Sequence, residues 1–376
     1  MNILILGDVG ASASNLELFK KADKDLFSSE IQDICRQSDI VLLNLEKPLT
    51  DALTPLDKCP PDYAAPTETI NGIKLLNPTA VTLANNHILD QQWQGIVSTV
   101  DILEKNGIRH VGTGKNDTEA REPLILEKNE YKIGIYACCE KEFSFAATNS
   151  GGANAYDPLI TFDDIASLRG KCDYLIVLFH GGMQGYPYPT PQQQRICRKM
   201  CEKGADLVVC QHSHIIGCEE DHEGSKIIYG QGNFLLDDLN NENWQSGLMI
   251  RVLIEEGKPA IEVIPIRTEK HRAVLDRNPE QVKKCYAERS KRILDHNTVE
   301  NLFTELCGDK LSDYLLKLSG KSTLVQRIMG RLGLVRGYKS RYSEEACNRI
   351  LDYLYCDTHK EAIEKGLEDF LKNRKK

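Results

Sequence analysis

Several short apolar runs in this chain are followed directly by Asp, Glu, Asn or His. Carboxylate oxygens, amide oxygens and imidazole nitrogens are the ligands that borderline-hard transition metals take in proteins. The repeated pattern therefore predicts a metal site. In chain order the segments are Gly7-Asp8, Asn44-Leu45-Glu46, Asn85-Asn86-His87, His180-Gly181-Gly182, Gln211-His212-Ser213-His214 and Gly230-Gln231-Gly232-Asn233.

Taken singly, most of these residues also have an ordinary structural interpretation. Asp8 could cap a helix, and His87 or His180 could be a hydrogen-bonded histidine of the core. The pair His212 and His214 is more specific. Residues two apart in an extended segment project to the same side, so we expect both imidazoles to converge on one point.

The elements that must position these residues alternate between strands and helices. The apolar runs are short and rich in branched residues, as buried strands are, with helical patterns between them. Ligands and reacting groups collect in the loops at the carboxyl ends of such strands. The runs are residues 3–6, 40–43, 81–83, 132–137, 174–179, 207–210, 226–229 and 248–254, and the helical stretches are 16–36, 93–106 and 192–203.

This alternation predicts an α/β fold with a mixed sheet or two packed sheets. The strand pattern stops after Ile266, and amphipathic helical patterns follow over residues 280–320 and 343–372. We therefore predict two regions, an α/β domain over residues 1–267 and a helical region of unknown role over 268–376. The glycine-rich, basic stretch 320–337 is interpreted as a connector.

Composition and charge exclude several classes of protein. The 376 residues are 41% hydrophobic and 27% charged, which is typical of globular proteins and excludes a fibrous or disordered chain. The net charge of −8 is uneven, because residues 268–376 carry 23 Lys and Arg against 17 Asp and Glu. The acidic remainder argues against nucleic acid as a partner, and the basic part is interpreted as a solvated helical surface.

The sequence also suggests a cellular compartment. No apolar stretch approaches the ~20 residues of a membrane helix, and the first residues lack the basic region and cleavage site of a signal peptide. Thirteen cysteines without Cys-x-x-Cys spacing predict buried thiols in a reducing environment. We expect a cytoplasmic protein with no membrane span.

Seven segments between residues 2 and 267 occur in an order that resembles a known family. They are Gly7-Asp8, Asn44-Leu45-Glu46, Leu83-Ala84-Asn85-Asn86-His87-Ile88-Leu89-Asp90, His180-Gly181-Gly182, Gly204-Ala205-Asp206-Leu207-Val208, His212-Ser213-His214 and Tyr229-Gly230-Gln231-Gly232-Asn233-Phe234. Together they resemble the bacterial capsule-synthesis CapA-like family. That family is associated with poly-γ-glutamate production and is similar to the calcineurin-like metallophosphoesterases.

The resemblance implies a four-layer α/β/β/α metallophosphoesterase-like sandwich with a C-terminal helical extension and two divalent metals, Mn, Fe or Zn, at its edge. Two such cations about 3.5–4 Å apart orient a phosphoryl group and neutralise its developing charge. A neighbouring histidine can protonate the leaving oxygen. By position, Asp8 and His214 would bind the first metal, Glu46 would bridge, Asn86, His180 and His212 would bind the second, His87 would be the acid, and Asn85, Gln184 and Asn233 would bind substrate.

Three departures from the phosphoesterase pattern bear on the reaction. Asp8-Val9-Gly10 has no histidine where phosphoesterases have Asp-x-His, so the first site lacks one ligand. Asn44-Leu45-Glu46 replaces Gly-Asp-x-x-Asp, and both of these changes are typical of the CapA-like group. Gln184 stands where relatives often have Glu.

The favoured function is a metal-dependent hydrolase of the phosphoesterase type in capsule or surface-polymer biosynthesis. Its substrate would be a phosphoester of a polymer or polymer precursor, or an amide such as a γ-glutamyl bond. The alternative is a non-catalytic assembly or polymer-binding factor that keeps the fold and binds capsule-synthesis proteins. A nuclease would share the site chemistry but conflicts with the acidic domain.

Overall fold

The computed structural model describes residues 1–58, 61–236 and 242–374, apart from the side chains of residues 243, 296 and 372. The strands are β1 (Asn2–Gly10), β2 (Ile40–Leu45), β3 (Ala80–Thr82), β4 (Arg109–Val111), β5 (Thr113–Gly114), β6 (Leu124–Lys128), β7 (Tyr131–Cys139), β8 (Gly152–Ala153), β9 (Tyr174–His180), β10 (Leu207–Gln211), β11 (Glu219–His222), β12 (Ser225–Tyr229), β13 (Asn233–Leu236), β14 (Ser246–Glu255), β15 (Lys258–Glu269) and β16 (Arg272–Leu275). The helices are α1 (Leu16–Lys20), α2 (Ser29–Arg36), α3 (Ile70–Ile73), α4 (Gln92–Lys105), α5 (Asp117–Ala120), α6 (Thr161–Arg169), α7 (Pro191–Glu202), α8 (Pro279–Arg292), α9 (His296–Leu318), α10 (Thr323–Arg331), α11 (Glu344–Tyr355) and α12 (Asp357–Arg374).

The strands form two main sheets. The first sheet has the order β16-β15-β14-β1-β2-β3-β4, with β13 also paired to β1, and the second has the order β11-β12-β10-β9-β7-β6. The central strands β1, β2 and β3 are parallel in the first sheet, as are β7, β9 and β10 in the second. Parallel strands bring their carboxyl ends to one edge, so the loops after them meet there.

Side-chain alternation along the strands builds three cores and four layers. On β1, Ile3 and Ile5 lie in the core between the two sheets, whereas Leu4 and Leu6 pack against the helices that cover the first sheet, α1 to α4. Strand β9 alternates in the same way between the inter-sheet core and helices α6 and α7. Strands buried on both faces are continuous apolar runs. The α/β/β/α sandwich is thus confirmed.

The sheet continues beyond the predicted end of the strand pattern. Strand β15 runs to Glu269, and β16 pairs with it in antiparallel register, Ile266 opposite Leu275. The expectation that strands stop after Ile266 was wrong, because edge strands need only one apolar face and leave a weak pattern. By compactness, the first unit is Met1–Glu300, and a second begins at Asn301. The boundary predicted at 267/268 therefore falls inside β15.

The second unit consists of helices. It has a small core of its own, formed by Leu315, Leu316, Met329 and Tyr338. The stretch 320–337, expected to be a connector, contains helix α10, which is capped by Ser322. None of the helices in the described part of the chain is long and apolar enough to cross a membrane.

Candidate metal centre

The carboxyl ends of β1 and β2 place two carboxylates beside one imidazole. His214 Nδ1 lies 3.4 Å from Asp8 Oδ2, and His214 Nε2 lies 3.7 Å from Glu46 Oε1. One potential ligand atom from each residue lies within 4.8 Å of the other two. All three residues are buried. We call Asp8, Glu46 and His214 the first cluster.

The oxygens of the first cluster match a cation site. Asp8 Oδ2 and both carboxylate oxygens of Glu46 are buried without a hydrogen-bond partner among the described residues. Burial raises the pKa of Glu46 to about 8, and the nearby Asp8 carboxylate adds to this effect. Burial disfavours a charged His214, yet the two carboxylates raise its pKa to about 9. Buried carboxylate oxygens that lack a hydrogen bond are costly, even with the His214 imidazole 3.4–3.7 Å away, and a divalent cation would remove that cost. The donor set therefore fits the metal.

A second group of ligand atoms converges on the imidazole at the end of β9. His180 Nε2 lies 3.1 Å from Asn86 Oδ1 and 3.1 Å from His212 Nδ1. Burial lowers the pKa of His180 to about 3 and holds that of His212 well below its usual range, so both rings are neutral. A neutral imidazole has a lone pair for a metal. We call Asn86, His180 and His212 the second cluster.

Asn44 joins the two clusters. Its Nδ2 donates to Asp8 Oδ1 at 2.8 Å and lies 3.4 Å from His180 Nδ1. Asn85 Nδ2 donates to Asn44 Oδ1 at 3.0 Å and to the Leu45 carbonyl oxygen at 3.0 Å. Both amides are fully buried. These contacts make the clusters neighbours and give Asn44 a role that the sequence did not reveal.

The loop after β10 sends its two histidines to different clusters. His212 has φ 91° and His214 has φ 59°, so both are in left-handed conformations that non-glycine residues adopt rarely. The expected extended segment, with both rings converging on one point, was wrong. The bends leave the ring centres 5.9 Å apart. Such backbone strain persists where surrounding structure imposes it, often at functional sites.

Asn233 holds His214 in place. Its Oδ1 lies 2.9 Å from His214 Nδ1, its Nδ2 donates to the Trp244 carbonyl oxygen at 2.9 Å, and the Trp244 ring lies 4.4 Å from the imidazole. Because Nδ1 faces the Asn233 oxygen, Nε2 is the ring nitrogen on the side of Glu46. Asn85 and Asn233 are thus positioning residues here, and direct substrate contact by either one stays a prediction.

The His87 backbone N–H donates to Asn85 Oδ1 at 3.1 Å, and its side chain has partners of its own. Its Nδ1 lies 2.8 Å from Asp90 Oδ2, and Asp90 Oδ1 lies 2.6 Å from Lys58 Nζ. The Tyr63 backbone N–H donates to Asp90 at 2.7 Å, and the Tyr63 ring lies 4.4 Å from the imidazole. These contacts orient the ring through Nδ1. The sequence offered one signal for Asp90, its position three residues after His87.

A cleft of about 460 Å³ opens beside the second cluster, and Gln184 and Glu140 contribute to its wall. Glu142 also lines it, with Oε2 3.3 Å from Asn86 Nδ2 and Oε1 3.8 Å from His212 Nε2. The Glu142 carboxylate therefore faces Asn86 Nδ2 and His212 Nε2, while Asn86 Oδ1 and His212 Nδ1 face His180. A carboxylate in this position orients metal ligands. The sequence did not single out Glu142.

These site residues lie in a region that matches a protein family. The family model described as "Bacterial capsule synthesis protein PGA_cap" matches residues 2–238, more than half of the chain. The chain belongs to this family. The match includes every residue of both clusters and His87, and it confirms the resemblance to CapA-like proteins that the motifs indicated.

Curated relatives in this family come from several bacteria. The PGA biosynthesis protein CapA of Bacillus subtilis is 27% identical over 69% of this chain and 70% of its own length. The capsule biosynthesis protein CapA of Bacillus anthracis is 22% identical over 71% of this chain and 67% of its own length. Among solved structures, a novel phosphatase from Mycoplasma pneumoniae aligns with TM-score 0.45 and 17% identity, over 71% of this chain and 93% of its own.

Proposed function

We propose that this protein is a metal-dependent hydrolase of the phosphoesterase type that acts on a surface polymer or a precursor of one. The observation that carries the proposal is the pair of adjacent, buried ligand clusters, one with unpartnered carboxylate oxygens and the other with three convergent neutral donors. The names of the relatives, which refer to PGA and capsule biosynthesis, support the polymer context.

The two clusters would hold Mn, Fe or Zn, since carboxylate, amide and imidazole ligands suit all three. Bound there, the cations would polarise a phosphoryl oxygen and lower the pKa of a water molecule. The contacts of Glu46 are to the first cluster, so its bridging role stays a prediction. His87 Nε2 would deliver a proton to the leaving oxygen, while Asp90 holds the other ring nitrogen.

Metal content per chain tests this proposal most directly. We expect about two metal ions in protein purified without chelator, and loss of both in the double variant His212→Ala, His214→Ala, because each histidine serves a different cluster. The matched control is His110→Ala, His222→Ala, which removes two imidazoles outside the site and should leave the metal content unchanged. Hydrolysis of chromogenic phosphoesters and of a γ-glutamyl anilide would then be compared across the three proteins.

A wild-type chain that holds no metal after supply of Mn, Fe or Zn would contradict the proposal. The non-catalytic assembly factor would then be the better explanation. Metal without hydrolysis of either class of substrate would contradict the assigned reaction while leaving the metal centre intact.

Replacing Glu142 by glutamine should weaken metal binding at the second cluster by roughly 10–100-fold. The side chain keeps its shape, but the charge that faces Asn86 and His212 is lost. Calorimetric titration of metal-free protein with Mn or Zn would measure the change. Glu140→Gln is the control, since Glu140 lines the same cleft. Equal affinities for the two variants would exclude an orienting role for Glu142.

A further inference from the structure

Residues 321–341 of the second unit combine positive charge with exposed apolar side chains. The segment has six basic residues and no Asp or Glu. Helix α10 forms its first half, and a short 3₁₀ turn, Tyr338–Arg341, lies at its end. We call residues 321–341 the basic segment. Its cations are Lys321, Arg327, Arg331, Arg336, Lys339 and Arg341.

The apolar residues of α10, together with Leu332 directly after the helix, form a stripe. Leu324, Val325, Ile328 and Leu332 follow helical spacing and share one face. Leu324 is 68% exposed, Ile328 47% and Leu332 66%. The core of the second unit instead takes Met329 from this helix. The stripe is therefore not used for packing within the second unit.

The cations of the basic segment are exposed, although Lys339 Nζ donates to the Gly308 carbonyl oxygen and Arg341 lies over the Tyr338 ring. All six residues are exposed. Within the described residues, no ion pair joins any of them to a carboxylate, although most other basic side chains of the second unit form such pairs, as Lys317 does with Asp313. Arg327 and Arg331 lie on α10 itself, next to the stripe. A surface that combines exposed cations with an exposed apolar stripe fits a partner that is both anionic and apolar.

We propose that the basic segment docks on an anionic phospholipid surface, with α10 lying in the plane of the interface. Amphipathic helices with a basic polar face bind membranes by burying the apolar stripe at the headgroup boundary and by attracting anionic lipids. A nucleic acid would neutralise the cations but leave the aliphatic stripe in water. The inference is independent of the proposed hydrolase activity.

Helix α12 provides an internal comparison. It also exposes apolar residues at helical spacing, with Leu367 and Phe370 more than half exposed. Acidic residues flank them, namely Glu361, Glu364, Glu368 and Asp369. Helix α12 carries five acidic and four basic residues, a net charge of −1 against +2 for α10, so an anionic surface should attract it less and it serves as an internal control.

Co-sedimentation of the full chain with vesicles tests the proposal. We expect binding to phosphatidylcholine vesicles that contain phosphatidylglycerol, little binding to pure phosphatidylcholine, and weaker binding as salt is raised. The variant Arg327→Gln, Arg331→Gln should lose about tenfold or more in affinity, as should Leu324→Ser, Ile328→Ser. Because Arg327 and Arg331 are exposed, the charge variant tests the proposal without disturbing the fold.

The control variants Lys360→Gln, Lys365→Gln and Leu367→Ser, Phe370→Ser should bind the vesicles as the wild type does. Equal sedimentation of the wild type and both α10 variants would overturn the proposal. So would binding of the wild type to double-stranded DNA without binding to anionic vesicles. Metal content is measured in the same samples, so failure here and failure of the proposed hydrolase are distinguishable.

Discussion

Replacing His87 by alanine is expected to lower the turnover of a phosphoester substrate by roughly 10²–10⁴-fold, the usual contribution of a general acid. The imidazole is buried, and Asp90 holds its Nδ1 at 2.8 Å, so Nε2 is the nitrogen that can deliver a proton. His87 belongs to neither ligand cluster. Turnover should therefore fall while the metal content stays at the wild-type value, which kcat and elemental analysis of the same sample would measure.

Two further variants make this prediction specific. Asp90→Asn keeps the shape of the side chain but removes the charge beside His87, so we expect a smaller fall in kcat, again with full metal content. His110→Ala removes a histidine outside the site and should leave kcat unchanged. If His87→Ala turns over substrate like the wild type with its metals bound, another group protonates the leaving oxygen.

Replacing Glu46 by methionine is expected to stabilise the metal-free protein and to abolish metal binding at the first cluster. Both Glu46 carboxylate oxygens are buried without hydrogen-bond partners among the described residues, and the Asp8 carboxylate is close enough to raise the pKa of Glu46. A buried polar group without a hydrogen bond costs about 1–3 kcal/mol, and we expect removal of that cost to exceed the loss of the contact between Glu46 Oε1 and His214 Nε2 at 3.7 Å. Chemical denaturation in the presence of a chelator would measure the gain.

Loss of stability, the opposite result, is expected when a buried carboxylate with hydrogen-bond partners is replaced. Glu220 accepts hydrogen bonds from Arg198, Gln194 and Tyr229. Glu220→Met should therefore destabilise the protein by roughly 3–5 kcal/mol, since it leaves these groups unpaired. When the free metal concentration is a hundred times Kd, metal should stabilise the wild type by about 2.7 kcal/mol. It should stabilise the Glu46→Met variant by less. If Glu46→Met and Glu220→Met both lower the free energy of unfolding of the metal-free protein, the burial of Glu46 is not destabilising.

The types of residues at the site were predictable because the signal is local. Each predicted ligand lies within four residues of the carboxyl end of a strand, and parallel strands bring those ends together. The structure does bring Asp8, Glu46 and His214 into one cluster and Asn86, His180 and His212 into another. Gln184 lines the adjoining cleft.

The supporting residues were not predictable in the same way. Asn44 acts through Asp8 and His180, and Glu142 acts through Asn86 and His212. These partners are 36 to 136 residues apart in the sequence, so no spacing pattern marks them. Which side chains Asn44 and Glu142 contact depends on how the loops pack, and a single sequence does not reveal that.

The sequence by itself determined the alternation of strands and helices and the types of side chain at the site. The residues alone left open one mixed sheet or two packed sheets, because strands buried on both faces are continuous apolar runs, and the four layers followed from the family resemblance. The tertiary structure decided which ligand joins which cluster. His212 and His214 are two residues apart, and the left-handed backbone at each one turns their rings to different clusters. Side-chain direction follows from backbone dihedral angles, and in a loop these are set by packing rather than by local sequence.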